Sequence, residues 1–333
     1  MTERHVHTPV AAQSHVTDTL DLIERAEDLG YSHAWVPETW GRDAISTIAA
    51  ATDRIEHIGL GTSIVNVYSR SPAVLGQSAA TLGELTPGEF RLGIGPSGPA
   101  LIDNWHGIEY ERPLRRSREA TEIIKQVLSG DVVSYDGEIF EVDGFRLRFD
   151  PPEQPIPVDL AGLGPKSVEL AGFIGDGWHG LLSTPDGVRD QLDHLQRGAE
   201  KRDRSLDDVD VLIGVTCTAL EDSAAARQLA AGHIAFYTGA MGPFYGKALA
   251  RQGYGELAQE VVQHWQSGDK EGAIDLVDEE LLDDIAAVGT PEETREQLER
   301  FESIDGVDAV AVSFPRGADL DQITQTLSAL SPE

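Results

Sequence analysis

Apolar and polar positions recur along this chain with two different periods, and each change of period marks an element. Val16, Leu20, Leu22, Ile23, Ala26 and Leu29 stand at helical spacing, with Ser14 placed as a cap and Gly30 as a stop. His33 to Val36 then reads as a strand, a helix is predicted near Ala44 to Ala51, and HIGLGTSIV from His57 to Val65 is β-like. Pro72 opens another helix, and FRLGIG from Phe90 to Gly95 reads as a buried strand. Short apolar strands that alternate with helices point to a parallel α/β sheet.

The alternation breaks at VVSYDGEIFEVDGFRLRF, Val132 to Phe149, where alternating residues flank Asp136-Gly137. That is a hairpin signal. It falls between a helix around Arg115 to Leu128 and the strand PVDLAG at Pro157 to Gly162, so it reads as an insertion in a strand-to-helix loop. Alternation resumes through a helix near Pro165 to Phe173, the strand GWHGLLS, a helix from Pro185 and the strand DVLIGVTCTAL. A long, mostly helical stretch follows, then the strand VDAVAVSF from Val307 to Phe314 and a last helix. About eight strand signals result, the first (HVHTPVA) being short and carrying Pro9. The prediction is a (β/α)8 barrel forming one domain over residues 1–333, with a hairpin insertion near 131–149 and a helical insertion near 222–287.

Charge narrows the class of partner. The 333 residues hold 57 Asp plus Glu against 26 Lys plus Arg, a formal net charge of −31, which argues against nucleic acid. At 40% hydrophobic residues the chain can nonetheless bury a core. Only Lys125, Lys166, Lys201, Lys247 and Lys270 are lysines. Strong acidity with few lysines predicts a salt-saturated cytosol and salt-dependent folding, because concentrated salt shortens the Debye length to roughly 3 Å at 1 M. The single Cys217 lies in an apolar run, so no intramolecular disulfide forms and a reducing compartment is expected. No stretch approaches the ~20 apolar residues of a membrane span, and the first residues lack a signal-peptide core. The expected setting is the cytoplasm, with no membrane partner.

Several motifs carry chemistry. Gly93-Ile94-Gly95-Pro96-Ser97-Gly98 spells GxGxxG after a strand. A dinucleotide turn must run straight into a helix, and Pro99 with the segment after it is read as delaying one by more than ten residues. The segment also follows the fourth strand rather than the first, so it is read as a strand end that lets another group come close. Ser97 fails the nucleophile-elbow pattern because Pro99 stands where GxSxG needs glycine. The histidines form no HExxH, and His5 and His7 alone complete no zinc site, so no metal is assigned. In AGLGPKSVELAG, Gly162, Gly164 and Pro165 make a turn that opens a helix, whose free amides suit an anion. Lys166 in its first turn opposes the helix dipole, a conflict that an anionic ligand resolves. The plain alternative is a turn with an exposed lysine. Ser63, Asn66 and Arg70 form a second polar group, and Glu38, Thr39, Trp40 and Arg42 a third, both at predicted strand ends. Arg115, Arg116 and Arg118 could meet an acidic ligand, although pairing with Glu119 and Glu122 along one helix accounts for them more simply.

Taken in order and spacing, GYSHAWVPETW, LGTSIVNVYSRSPAV, FRLGIGPSG, RPLRRSREATEIIKQVLSG with VSYDGEIF, and PIPVDLAGLGPKSVELAG with DGW resemble the luciferase-like family of flavin- and deazaflavin-dependent oxidoreductases. NVYSRSP and AGLGPKSVELAG are most similar to its methylenetetrahydromethanopterin reductase branch, which uses coenzyme F420. The resemblance implies a barrel, a homo-oligomer and a deazaflavin lying across the barrel mouth, with a hydride passing between its ring and a small organic substrate. It places a non-proline cis peptide at Ser63-Ile64 and a phosphate-holding turn at Gly162, Leu163, Gly164, Pro165 and Lys166. It puts Glu38 near the ring as an acid or polar partner, with Ser63, Ile64, Asn66 and Gly95 against the cofactor, and Glu38 and Asn66 as candidate catalytic residues. Thr39 stands where many relatives carry histidine, and Ser97-Gly98 replaces a Gly-Asp pair. An FMN-dependent monooxygenase and a barrel that binds flavin without turnover remain the alternatives.

Overall fold

The computed structural model describes residues 2–10 and 15–332, and the predicted cap Ser14 lies outside them. The fold is a (β/α)8 barrel. Among the described residues its parallel strands are β1 (Glu3–His7), β2 (His33–Val36), β3 (Gly59–Thr62), β4 (Phe90–Gly95), β5 (Val158–Ala161), β6 (Gly177–Leu181), β7 (Asp210–Ala219) and β8 (Ala309–Ser313). The chain divides into two compact units. One takes in the chain up to Ser32, Gly180–Asp193 and everything from Val211 onward; the other takes in His33–His179 and His194–Asp210.

The second unit holds the candidate site. β2 runs parallel to β3 with Ala34 opposite Leu60, β3 to β4 with Leu60 opposite Phe90, and β4 to β5 with Leu92 opposite Val158. β5 continues to β6 with Leu160 opposite Trp178. Every residue of β2, β3 and β4 is buried, which is why these strands read as mostly apolar runs, each with one polar or charged residue, rather than as alternating ones. The helices Ala44–Ala51 and Pro72–Leu85 start where sequence chemistry puts them: Asp43 caps the first through Ser46 N–H, and Ser71 with Pro72 begins the second.

The inserted hairpin pairs Val133–Asp136 with Glu141–Phe145. Its four-residue turn is held by the buried Glu119 carboxylate, which accepts the amides of Glu138, Ile139 and Phe140 at 2.9–3.1 Å. Burial would raise the Glu119 pKa; those amides and Arg115 outweigh it and hold the group below its ordinary value.

In the first unit, β8 lies between β1 and β7, with Val310 opposite both Arg4 and Ile213. The helix Val16–Asp28 is capped by His15, whose ring accepts the Thr17 amide, and the chain turns off it at Gly30 with φ +84°. The predicted helical insertion comprises Ser223–Ala240, Pro243–Arg251, Gly255–Ser267, Lys270–Asp275 and Glu279–Ile285, packed around Ile234, Leu249, Val261 and Leu281. Its end differs from the prediction. Ala286–Gly289 is a short parallel strand on β7, with Ala287 opposite Cys217. Cys217 is fully buried, and burial pushes its thiol up to about 12, so it is an inert core residue. Among the described residues no helix is long and apolar enough to cross a membrane, and no group of three or more His, Cys, Asp or Glu could hold a metal ion.

Candidate active site

The site is built on the ends of β2 to β6, the side on which barrel enzymes place their chemistry. After β3 the chain makes a bulge: the Ser63-Ile64 peptide is cis, and Val65–Asn66 then pairs with Ile94–Gly95 of β4. Gly95 leaves the room this needs, since a Cβ there would press on Ile64 and on Ala161 at 3.3–3.4 Å. Gly93 is tighter still, because a Cβ would fall 2.0 Å from the Thr62 carbonyl oxygen. These two glycines of the GxGxxG match are thus taken up by sheet packing. The expected delay before the next helix is corrected: Gly98 is an extended N-cap, Pro99 starts a turn at Pro99–Leu101, and a π-helix runs on through Ile102–His106. The fixed φ of proline suits it to a first helical position, so Pro99 begins the helix rather than preventing it.

Asn66 is fully buried and both ends of its carboxamide are engaged. Its Oδ1 accepts the amides of Tyr68 and Ser69 at 3.0 and 2.7 Å, and its Nδ2 donates to His106 Nε2 at 3.3 Å. Glu38 is also occupied. Arg70 donates to both its oxygens at 2.6 and 2.9 Å, and the Ala44 amide adds a third bond at 3.0 Å. Arg70 also reaches Asp43. The two candidate catalytic groups, the Glu38 carboxylate and the Asn66 carboxamide, are thus both engaged by the protein's own groups. Glu38 ties the loop after β3 to the loop after β2, and Asn66 shapes the turn that carries Tyr68. Beside them Thr39 Oγ1 and Ser69 Oγ are buried with no partner, polar groups that a bound molecule would satisfy.

Beneath the bulge Ser63 meets three residues that the sequence reading did not single out, His179, Asp159 and Arg91. Ser63 Oγ is 3.1 Å from His179 Nδ1, and His179 Nε2 is 3.2 Å from Asp159 Oδ2. Arg91 closes the chain with a two-pronged grip on Asp159 at 2.9 and 2.8 Å. Burial works against the Asp159 charge, but Arg91 and His179 outweigh it and hold this carboxyl well below its ordinary range. The signal available in the sequence was a single polar or charged residue inside each of three apolar strands, FRLGIG, VDLA and GWHGL.

After β5, Gly164 is the N-cap and Pro165 the first residue of the helix Pro165–Ile174, as the sequence predicts. Ser167, not singled out there, folds back: its hydroxyl accepts the Gly164 amide at 3.0 Å and donates to the Gly164 carbonyl at 2.8 Å. The Gly162 carbonyl accepts Trp178 Nε1 at 3.0 Å, which fixes the turn from below. No acidic residue stands in the first turn. Lys166 is exposed and shares an open groove of about 460 Å3 with Arg115, Arg118, Lys201, Glu169 and Phe173. Arg118 bonds Glu122 at 3.0 Å and Arg115 bonds Glu138 at 2.9 Å, so ion pairing engages both. Arg116 instead lies over the Tyr68 and Phe140 rings.

The family model described as luciferase-like monooxygenase matches residues 1–307. The 5,10-methylenetetrahydromethanopterin reductase of Archaeoglobus fulgidus is 30% identical over 311 residues, covering 92% of each chain. The F420-dependent glucose-6-phosphate dehydrogenase of Gordonia bronchialis is 30% identical over 220 residues, covering 63% of this chain and 62% of its own. Among solved structures, the coenzyme F420-dependent tetrahydromethanopterin reductase of Methanopyrus kandleri superposes with a TM-score of 0.85 at 24% identity, covering 100% of this chain and 98% of its own.

Proposed function

From the premise that this chain belongs to the luciferase-like monooxygenase family, we propose that it is a coenzyme F420-dependent oxidoreductase that passes a hydride between the deazaflavin and a small organic substrate. The observation that carries this reading is the turn after β5, where two glycines and Pro165 open a helix free of acidic residues in its first turn, in a chain whose net charge is −31. Oriented amides and the positive end of the helix dipole favour an anion there. The name of the Gordonia bronchialis relative, which specifies F420, supports the choice of cofactor.

The residues present fit such a group. Gly162, Leu163, Gly164, Pro165 and Lys166 would hold its phosphate, while Ser63, Ile64 and Gly95 would lie against its ring, and the buried hydroxyls of Thr39 and Ser69 are left for it to satisfy. When bound, a deazaflavin supplies a carbon that accepts or gives a hydride. The chain's part is to orient that carbon against the substrate and to keep water away.

The test is a fluorescence titration of the purified protein, in molar KCl, with coenzyme F420 and with FMN. Saturable binding of F420 in preference to FMN is expected. Preference for FMN would replace the reading with a flavin monooxygenase, and binding of neither would overturn it. Lys166→Glu is expected to weaken F420 binding about tenfold, of the size of one lost charge contact of ~1.4 kcal/mol. Unchanged affinity would remove Lys166 from the phosphate site.

A further inference from the structure

The π-helix Ile102–His106 follows β4 on the side where barrel enzymes place their chemistry, and it is held from both ends. Leu101 and Ile102 are buried at its start, and the Asp103 carboxylate accepts the Tyr110 amide at 2.7 Å. Tyr110 in turn stacks on Tyr68, with ring centres 5.5 Å apart. A π turn is rare and occurs most often at functional sites. Here its last residue is His106. Trp105 before it is 64% exposed, and Gly107 after it, with φ +65°, has no atom within 4 Å of where a Cβ would stand, so this corner of the loop is open.

Asn66 fixes which nitrogen of His106 carries hydrogen. Its carbonyl oxygen already accepts the amides of Tyr68 and Ser69, so the carboxamide cannot be turned over, and the end that faces His106 Nε2 at 3.3 Å is the NH2 donor. Nε2 is therefore the acceptor, and in the neutral imidazole the hydrogen sits on Nδ1. His106 is half-buried, and its Nδ1 has no partner among the described residues. Nor does it belong with the buried polar atoms left without one, such as Thr39 Oγ1 and Ser69 Oγ, so solvent reaches it. An N–H donor of fixed direction thus stands beside the bulge, with nothing on the protein to receive it.

We propose that His106 anchors a bound molecule through Nδ1–H, with Asn66 as its positioning residue, and that the group it takes is a carbonyl or carboxylate oxygen. A ligand N–H there would set two donors against each other, whereas a bare oxygen completes the bond that the protein leaves open. Two molecules can bring such an oxygen: the deazaflavin, whose ring carries carbonyls, and a substrate beside it. The first source rests on the cofactor reading above. The plainer role, a prop for Asn66, uses Nε2 alone and gives Nδ1 no part.

15N-histidine NMR of the full chain without cofactor, in mildly alkaline buffer and with the His106 signals assigned through His106→Gln, is expected to show Nδ1–H and a bare Nε2. The reverse tautomer overturns the proposal whatever F420 does. The Nδ1 signal is then followed as F420 is added, and afterwards as acetate, acetone and acetamide are added at high concentration. A shift with F420 assigns the oxygen to the cofactor ring, a shift only with a small acceptor assigns it to the substrate, and no shift with any of them overturns the proposal. Failure of F420 to bind the native chain, read by its fluorescence, overturns the cofactor reading instead and leaves the small acceptors to judge His106. Two isosteres separate anchor from prop. His106→Asn keeps an amide donor near the Nδ1 position but falls short of Asn66, whereas His106→Gln offers Asn66 Nδ2 an acceptor and carries no donor at the Nδ1 position. His106→Gln is expected to weaken binding of the molecule that shifts the signal about tenfold, with His106→Asn keeping most of the affinity, read by F420 fluorescence or, for a small acceptor, by the Trp105 indole signal. The opposite order, or an unchanged affinity in His106→Gln, leaves His106 a prop and overturns the proposal.

Discussion

Two arginine–carboxylate pairs in the same unit use one geometry in two settings. Arg91 and Asp159 face each other on adjacent strands, with side-chain exposures of 10% and 2%; Arg70 and Glu38 join two loops at the strand ends, with exposures of 20% and 9%. Each is a two-pronged contact of the strong, charge-assisted kind. Their consequences differ because desolvation differs. Removing one partner of a buried pair strands the other charge where water cannot reach it, whereas a partly wetted pair can recover hydration. The interior pair therefore fixes the direction of every hydrogen bond above it, up to Ser63, while the rim pair fixes the shape of a loop.

The largest effect that would sharpen this contrast is Asp159→Ala, expected to cost about 3 kcal/mol in urea unfolding, because Arg91 keeps only the more exposed Glu89 and Asp210 as partners and His179 loses its acceptor. Replacing both partners with apolar residues of similar volume, Arg91→Met with Asp159→Leu, should recover most of that stability while leaving His179 without its acceptor. A double variant as unstable as the single one would mean that Asp159 matters for reasons other than the stranded charge.

Next in size is the response to acid. Because the folded Asp159 and Glu119 carboxyls lie below their ordinary values, the stability they give is complete above the unfolded value of about 4 and is lost as pH falls below it toward the folded one. Urea midpoints measured from pH 6 to pH 3 should fall less in Glu119→Gln than in the native chain, since that variant has one fewer carboxyl to protonate.

Breaking the rim pair should do less. Arg70→Ala is expected to cost about 1 kcal/mol, discounted for the solvent that reaches the guanidinium, and to act chiefly on the loops, read as weaker F420 binding. A cost as large as that of Asp159→Ala would erase the distinction between the two pairs. The smallest effect asked of either pair is that of salt. Raising KCl from dilute to molar should lift the melting temperature by several degrees by screening the repulsion of 57 acidic against 26 basic residues, and by the same amount in Arg70→Ala as in the native chain. A flat melting temperature would remove the case for salt adaptation.

Much of the architecture was legible in the chain because buried parallel strands need continuous apolar runs and helices need caps. β2, β4 and the helix Ala44–Ala51 have the limits that their residue patterns predict, and the helix after β5 begins at Pro165. Ala286–Gly289 escaped that reading because AAVG has too few side chains to display a period; its extended form comes from pairing with Thr216 to Ala219. Pro99 was misjudged because a proline halts a helix from within and begins one from outside, and only position relative to Gly98 separates the two cases.

The sequence by itself determined which segments are strands and helices, that the turn at Gly162 to Lys166 opens a helix, and that the chain resembles a deazaflavin-using family, since each depends on residues close together in the chain. Only the tertiary structure decided which polar groups meet. Arg91 and Asp159 are 68 residues apart, Asp159 and His179 are 20 apart, and Ser63 is 116 residues from His179. Parallel strands bring such residues side by side through helical crossovers, so the period that reveals each strand carries no record of its neighbours. For the same reason the sequence could offer Glu38 as an acid or a polar partner without showing that Arg70 meets it.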